Sequence, residues 1–592
     1  MSSAKVKSFY RQRLGEINRQ KQLNLKRISL FSWLRLISFG LFIFTIYLFS
    51  AGFGWIWMVV STLSFVSLIA LIIYHQKLYH KSEHLQAVFD INENEIKHLE
   101  YQPSLFDNGN SYASQLPFAD DLDLFGDYSI FHYLNRSQTT YGKDLLAQAL
   151  LQAAPGKEQI EFMQEAVKEF SGLNSFCQDV MTALMLTGRK KEEKTIKLDW
   201  SSTIYLFESK FFKAATIVMP AVVLISLVVG IVSGSYLLFM LNGAIAMMLT
   251  FGQSKKMMLL SEEIGGRTQA MKAYAGIFSD FGSMPLKARL LKEMADTSRQ
   301  ASVQFRRLAL LSERFDRRNN LLLYVLANIF LMYDFRLALS YEAWKRRNLE
   351  QVNLWLETLG RIELFISLGT YTFNHPECVF PVVTHEKLIR AAKLGHPLIR
   401  SDQLVENDIE LAVDPRIMLV TGSNMSGKST FLRTLGVNVI LAQAGAPVHA
   451  DSFEWKPLQV LSSLRQSDSL QENTSLFLHE LKQLRYILDH VAQGKYCLVL
   501  LDEVLRGTNS EDKYHGTYNL IMKLLRMESL VVMATHDLKL SMLEKSHPAY
   551  VVNYCFESHI KDGQLLFDYT VRKGVAVNRN ATWLMKDMGI ID

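Results

Sequence analysis

Residues 422–430 read Gly422-Ser423-Asn424-Met425-Ser426-Gly427-Lys428-Ser429-Thr430, between a strand-like stretch, Ile417 to Val420, and a helix-like one, Phe431 to Ala442. A glycine-bounded loop ending in Lys-Ser-Thr at that junction commits its surroundings to an α/β layer. Backbone N–H groups and a helix N-terminus must converge on one point, and a strand–loop–helix unit arranges that. Gly422 and Gly427 allow a tight, partly left-handed backbone, Lys428 is placed to reach β- and γ-phosphates, and the Ser429 hydroxyl to hold Mg²⁺. Farther on, the apolar run Cys497 to Leu501 ends in Asp502-Glu503. At the end of a buried strand Asp502 would serve the same ion, and Glu503 would polarise an attacking water. Taken singly, the loop is an ordinary turn and the acidic pair a solvated strand end. Together they predict an α/β P-loop nucleotide triphosphatase that takes ATP or GTP with Mg²⁺; nothing local to Leu404-Val405 spells out the base.

Further segments flank these motifs. Gln443-Ala444-Gly445-Ala446-Pro447-Val448-His449-Ala450 follows the loop, and Asn473-Thr474-Ser475-Leu476-Phe477-Leu478-His479-Glu480 precedes the acidic strand. Arg506-Gly507-Thr508-Asn509-Ser510 and Ala534-Thr535-His536-Asp537 come after it. At these residues the chain resembles the MutS family of DNA mismatch-repair ATPases. The likeness extends upstream, through Asp121 to Gly126, Leu134 to Lys143 and Gln164 to Val167, which look like the start of that family's helical core. Leu359 to Phe365, Gly395-His396-Pro397-Leu398 and Val405-Glu406-Asn407-Asp408 look like its end. The resemblance covers about residues 90–200 and 260–590, with interruptions.

The resemblance implies an ABC/MutS-type ATPase domain, an all-α core and lever region, and a homodimer with two composite ATP sites. Ser475 would reach the γ-phosphate held by the other subunit, and His536 would sense that phosphate from its own. DNA is the implied client. Phosphoryl transfer itself calls for more donors than one loop lysine supplies, which favours a partner in trans. On residue chemistry alone, Ser475 is a helix cap with Glu480 near capping-box range, and His536 is a histidine after a strand (Leu530 to Ala534). The chain departs from the family pattern in three places: Leu505 stands where glycine is usual, Ser426 where many members have a second glycine, and Glu472-Asn473 where Gly-Arg commonly precedes the signature serine. No counterpart of the mismatch-reading domain, with its Phe-x-Glu wedge, precedes residue 90, and no nuclease module follows the ATPase. Both absences weigh against mismatch specificity.

Residues 31–50 and about 53–74 are apolar runs with one charge, Arg35, near the start of the first. About twenty helical residues cross the ~30 Å hydrocarbon layer, and Trp33, Trp55 and Trp57 lie where aromatic belts form. A second hairpin is expected at about 214–232 and 235–252, turning at Gly234-Ser235. Lys5, Lys7, Arg11, Arg13, Arg19, Lys21, Lys26 and Arg27 precede the first span against the single acid Glu16, and both hairpin turns are uncharged. The positive-inside rule then puts both termini and the ATPase in the cytoplasm, at the cytoplasmic (inner) membrane. A cleaved secretion signal does not fit the long basic leader, the missing Ala-x-Ala site and the second span that follows at once. Buried core helices would show polar residues at helical spacing, and these runs do not. The stretch Leu321 to Ser340 is better read as a bundle helix, since Asn328, Asp334 and Arg336 interrupt it at depths where each charge costs ~2.5 kcal/mol or more.

The predicted organisation is a basic leader with the first hairpin (1–76), a helical core segment (77–205), the second hairpin (206–256), a second core and lever region (257–400), and the ATPase domain (401–592). The net charge of +6 is concentrated in the leader, where an anionic leaflet accounts for it, so it does not argue for DNA. Cys177, Cys378, Cys497 and Cys555 are scattered without metal-ligand spacing, as in a reducing compartment. Arg306-Arg307, Arg314, Arg317-Arg318 and Lys345-Arg346-Arg347 could contact DNA phosphates, but the solvated or membrane-facing side of long helices is the favoured reading. Two rivals to a membrane-tethered, DNA-directed ATPase stand: a transporter-like or membrane-remodelling ATPase, and a scaffold that binds nucleotide without turnover. The predicted spans hold no ionisable residue at mid-membrane to mark a substrate path.

Overall fold

The computed structural model describes residues 3–152, 154–188, 205–207, 209–319, 321–386, 388–412, 414–423, 425–464, 476–505, 509–527, 529–561, 564–576 and 591. The chain is mostly helical up to Asn374, and two mixed sheets follow. The leader and first apolar run form one helix, Ser3–Ser50, which turns at Gly52 and Gly54 (φ +85° and +106°) and returns as Ile56–Leu99. That second helix runs without a break past residue 76 and delivers Glu95 to the core. There Arg136, 1% exposed, grips Glu95 at both oxygens (2.5 and 2.9 Å), Asn374 donates to Glu95 at 2.7 Å, and Tyr10 donates to Asn374 at 2.8 Å. The leader is thus tied to the end of the helix Tyr333–Asn374.

Among the described residues, three helices (Ser3–Ser50, Ile56–Leu99 and Lys210–Ser233) contain stretches long and apolar enough to cross a membrane. The pair Leu237–Phe251 and Ser254–Ile264, bent by 56°, adds a fourth if it counts as one span. Gly234, at φ +71°, makes the second turn. Side chains along these stretches face outward, among them Leu36, Ile37, Phe39, Leu63, Val66, Ile225 and Val228. An apolar surface of that extent marks an interaction with another apolar medium or partner.

The stretch 321–340 is not one helix. It breaks at Met332 (φ +49°) into Leu321–Leu331, which packs on both helices of the second hairpin, and Tyr333–Asn374. The break has a local cause. Asn328 accepts the Asp334 N–H at 3.0 Å, and Asp334, 1% exposed, is held by Arg318 through two bonds of 2.9 Å. From there Tyr333–Asn374 runs about 63 Å at 1.5 Å per residue. Arg336 near its start donates to the Thr216 carbonyl of the second hairpin (2.8 Å), and a bridge between Val379 and Val448 just past its end joins the sheet region.

The strands are β1 (Val382–Val383), β2 (Ile389–Leu394), β3 (Asn407–Leu411), β4 (Ile417–Thr421), β5 (Ser452–Trp455), β6 (Gln459–Ser463), β7 (Cys497–Asp502), β8 (Leu530–Thr535), β9 (Val551–Lys561) and β10 (Gln564–Lys573). A four-stranded sheet runs β1-β5-β2-β3 and a six-stranded one β10-β9-β4-β8-β7-β6. In the second, β9, β4, β8, β7 and β6 are parallel, and β10 adds an antiparallel edge. β4, β7 and β8 are buried at every position, because helices cover both faces of a parallel sheet and leave no polar alternation to preserve.

Candidate active site

Parallel strands end together, so residues far apart in sequence meet at one edge of the six-stranded sheet. β8 lies between β4 and β7. The loop 422–427 after β4, Asp502-Glu503 at the end of β7 and His536 after β8 therefore adjoin.

The loop's backbone explains its glycines. Gly422 sits at φ +155° and a Cβ there would lie 2.8 Å from Ser426 Oγ and 2.9 Å from the Phe556 carbonyl. Gly427 sits at φ +101°, and its Cβ would lie 3.0 Å from the Tyr569 ring. Met425 takes φ +67° with its side chain exposed. The helix Lys428–Gln443 starts directly behind, so its free N–H groups face the loop. Ser423 Oγ and Ser426 Oγ are buried without a hydrogen-bond partner among the described residues, and buried donors of that kind suit a polar ligand. The cradle fits a phosphate chain.

Lys428, 5% exposed, donates from Nζ to the carbonyls of Gly422 (3.0 Å) and Ser423 (2.9 Å) and lies 3.2 Å from His536 Nε2. The same His536 nitrogen contacts the Glu503 carboxylate. Ser429 Oγ donates to Asp502 Oδ2 at 2.5 Å, the hydroxyl–carboxylate pair a hard divalent cation prefers. Glu503 takes φ +48°, held by its N–H on the Ala534 carbonyl at 3.0 Å. Of the residues singled out from sequence, Gly422, Ser423, Met425, Ser426, Gly427, Lys428, Ser429, Thr430, Asp502, Glu503 and His536 are in or beside this cluster. Asn424 and Ser475 lie outside the described residues, as do Arg506, Gly507 and Thr508. The helix after Ser475 begins at Leu476, and the Glu480 carboxylate accepts the Leu505 N–H at 2.5 Å.

Sequence reasoning missed Tyr569. It lies at a bulge in β10, at φ +53°, with its half-exposed ring against Gly427. Asn407 fixes the bulge, donating to the Tyr569 carbonyl (3.0 Å) and accepting the Val571 N–H (2.7 Å). No local pattern marks such a position, since the bulge arises from pairing with β9 and from a side chain on β3.

The helical core docks on this domain through the upstream segments noted from sequence. Asp121 accepts from Ser462 Oγ (2.6 Å) and the Leu464 N–H (3.1 Å), and Arg433 reaches Asp123 at 3.2 Å. A Cβ on Gly436 would lie 2.8 Å from Leu122, and one on Gly445 2.6 Å from Met163.

Residues 418–582 match the model of MutS domain V. The human protein named MutS protein homolog 4 is 32% identical over 234 residues, which are 38% of this chain and 24% of that protein. The DNA mismatch repair protein MutS of Thermotoga maritima is 32% identical over 242 residues, 40% of this chain and 30% of its own length. DNA mismatch repair protein MSH3 of Scheffersomyces stipitis is 30% identical over 211 residues, 33% of this chain and 20% of its own. The match thus spans less than a third of each of these relatives.

Proposed function

Because the chain belongs to the MutS family through its C-terminal domain, we propose that it is a membrane-tethered, dimeric ATPase whose nucleotide cycle moves the helical core, with DNA as its client. The observation that carries the nucleotide reading is the convergence of Lys428, Ser429, Asp502, Glu503 and His536 at the ends of three adjacent parallel strands.

In this reading the loop N–H groups and Lys428 bind and orient the phosphates, and Ser429 with Asp502 would hold Mg²⁺, which would supply neutralisation of phosphate charge. Glu503 takes a proton from the attacking water. His536 Nε2 faces both Lys428 and Glu503, so it donates to the carboxylate or accepts from the lysine, not both at once. Drawing Lys428 toward phosphate oxygens frees that nitrogen, which lets His536 report the γ-phosphate. Tyr569 offers a flat face beside the loop for the base to stack on. Ser475 of a second subunit completes the site.

The outward apolar stretches, the uncharged turns and the basic leader support tethering, with the domain on the cytoplasmic side. The relatives named for DNA mismatch repair support DNA as client. The test is purified full-length protein in detergent, assayed for ATP turnover and for binding to homoduplex, mismatched and branched DNA. Turnover that responds to DNA supports the proposal. Binding to none of the three, with or without ATP, removes the DNA part, and turnover that responds to lipid alone favours a membrane-remodelling engine.

A further inference from the structure

The junction between the long helix and the α/β domain holds a group of side chains that the nucleotide reading does not use. Glu377 and Cys378 follow the end of Tyr333–Asn374, and His449 lies in the segment that leaves the helix Lys428–Gln443. The Val379–Val448 bridge, with reciprocal N–H to carbonyl bonds of 2.9 and 2.8 Å, draws the two segments together. One ligand-capable atom from each of Glu377, Cys378 and His449 then lies within 4.8 Å of the others.

Each of the three is oriented by an outer partner. The His449 ring is held through Nε2 by Glu406 at 3.1 Å, Glu377 contacts His375 Nδ1 at 3.0 Å, and the Cys378 sulfur is 3.7 Å from the Tyr371 hydroxyl. His375 is fixed in turn by Tyr133 at 2.9 Å, and the His449 N–H by Asn438 at 3.1 Å. Carboxylates and hydroxyls behind the ligands are what metal sites use to set ring orientation and ligand basicity.

We propose that Glu377, Cys378 and His449 form a binding site for a zinc-class divalent transition metal that clasps the long helix to the α/β domain. One sulfur, one imidazole nitrogen and one carboxylate oxygen suit Zn²⁺ in tetrahedral geometry with water in the fourth position. They do not suit Mg²⁺ or Ca²⁺, which take oxygen ligands. Cys378 binds as thiolate, so uptake of one ion expels one proton from the thiol and involves no electron transfer. The site joins segments 71 positions apart, Cys378 and His449. Spacing rules applied to the cysteines alone therefore pass over it.

The test uses the full-length protein in detergent, stripped with chelator and loaded with Zn²⁺ or Co²⁺, beside Cys378→Ser and His449→Ala. The expected result is one tightly held ion per chain and a thiolate-to-cobalt charge-transfer band in the wild type. Cys378→Ser should lose the band, both variants should bind at least tenfold more weakly, and Cys177→Ser should match the wild type. Circular dichroism and gel filtration establish that each variant is folded. A folded wild type that retains no ion overturns the proposal, and so does uptake that neither variant alters, which would place the metal elsewhere.

Discussion

Glu363 supplies a pH-dependent term whose size follows from the structure. It lies on the long helix, 1% exposed, facing the start of helix Thr140–Leu151. The N–H groups of Gln138 and Thr139 donate to Oε1 at 2.6 and 3.1 Å, and the Thr139 hydroxyl donates to Oε2 while capping its own helix by accepting the Gly142 N–H at 3.2 Å. Burial pushes the carboxyl up and these donors pull it down. Burial wins, and the group titrates at about 7 instead of its ordinary 4.5. The folded state therefore holds its proton more tightly than the unfolded chain, so stability is fully present below 4.5 and falls as pH rises to about 7. At about 1.36 kcal/mol for each pH unit that interval amounts to about 3 kcal/mol. Glu363→Gln keeps an acceptor for both N–H groups and has nothing to ionise. Denaturant midpoints of wild type and variant, measured at about pH 5 and about pH 8, isolate the term, since all other groups titrate in both proteins. The wild type should lose ground to the variant by about 2.5 kcal/mol between the two conditions, since part of the interval already lies below pH 5. A wild-type-minus-variant difference that stays flat with pH would refute the reasoning.

Lys428→Ala should weaken nucleotide binding by about 10- to 100-fold, the loss of a charge-assisted bond, and an unchanged titration curve would contradict its assigned role. Glu503→Gln should keep nucleotide affinity and cut turnover by about 10² to 10⁴; turnover at the wild-type rate would move the base elsewhere. Tyr569→Ala should cost about 1–3 kcal/mol in binding to ATP and much less to inorganic triphosphate, and equal losses on both ligands would rule out stacking on the base. Arg136→Met leaves Glu95 buried with Asn374 but no cation, and should destabilise the fold by about 3–5 kcal/mol; a midpoint within error of the wild type would show that the pair contributes nothing net.

What was legible in the sequence divides by the range of the interaction behind it. The loop after β4 could be read because its glycines, lysine and serine answer local demands: φ of +155° and +101° at Gly422 and Gly427, and a helix N-terminus directly behind. The apolar runs could be read because hydropathy sums over neighbours. Tyr141-Gly142-Lys143 and Leu359-Gly360-Arg361-Ile362-Glu363 stood out only as two separate segments. In the structure they are one crossing, where a Cβ on Gly142 would lie 2.6 Å from Glu363 and one on Gly360 2.8 Å from Tyr141.

Long-range pairing accounts for the rest. Leu505 departs from the glycine usual in the family, yet it takes φ +62°, a value that favours glycine. Its side chain is buried, so close to helix Ser510–Leu525 that a Cβ on Gly516 would lie 2.5 Å from it, and its N–H is fixed by Glu480. Packing and a hydrogen bond thus offset backbone strain of about 1–3 kcal/mol, and neither partner is adjacent in sequence. The break at Met332 is local instead, but hydropathy does not register it: a helix expected over 321–340 gives way to an exchange between Asn328 and Asp334 backed by Arg318. In the proposed nucleotide cycle that break has a role. It separates the segment seated on the second hairpin from the long helix that reaches the α/β domain. Closure around nucleotide at one end would thus reach the hairpin through a rigid element of about 63 Å whose pivot is a buried, charge-locked turn.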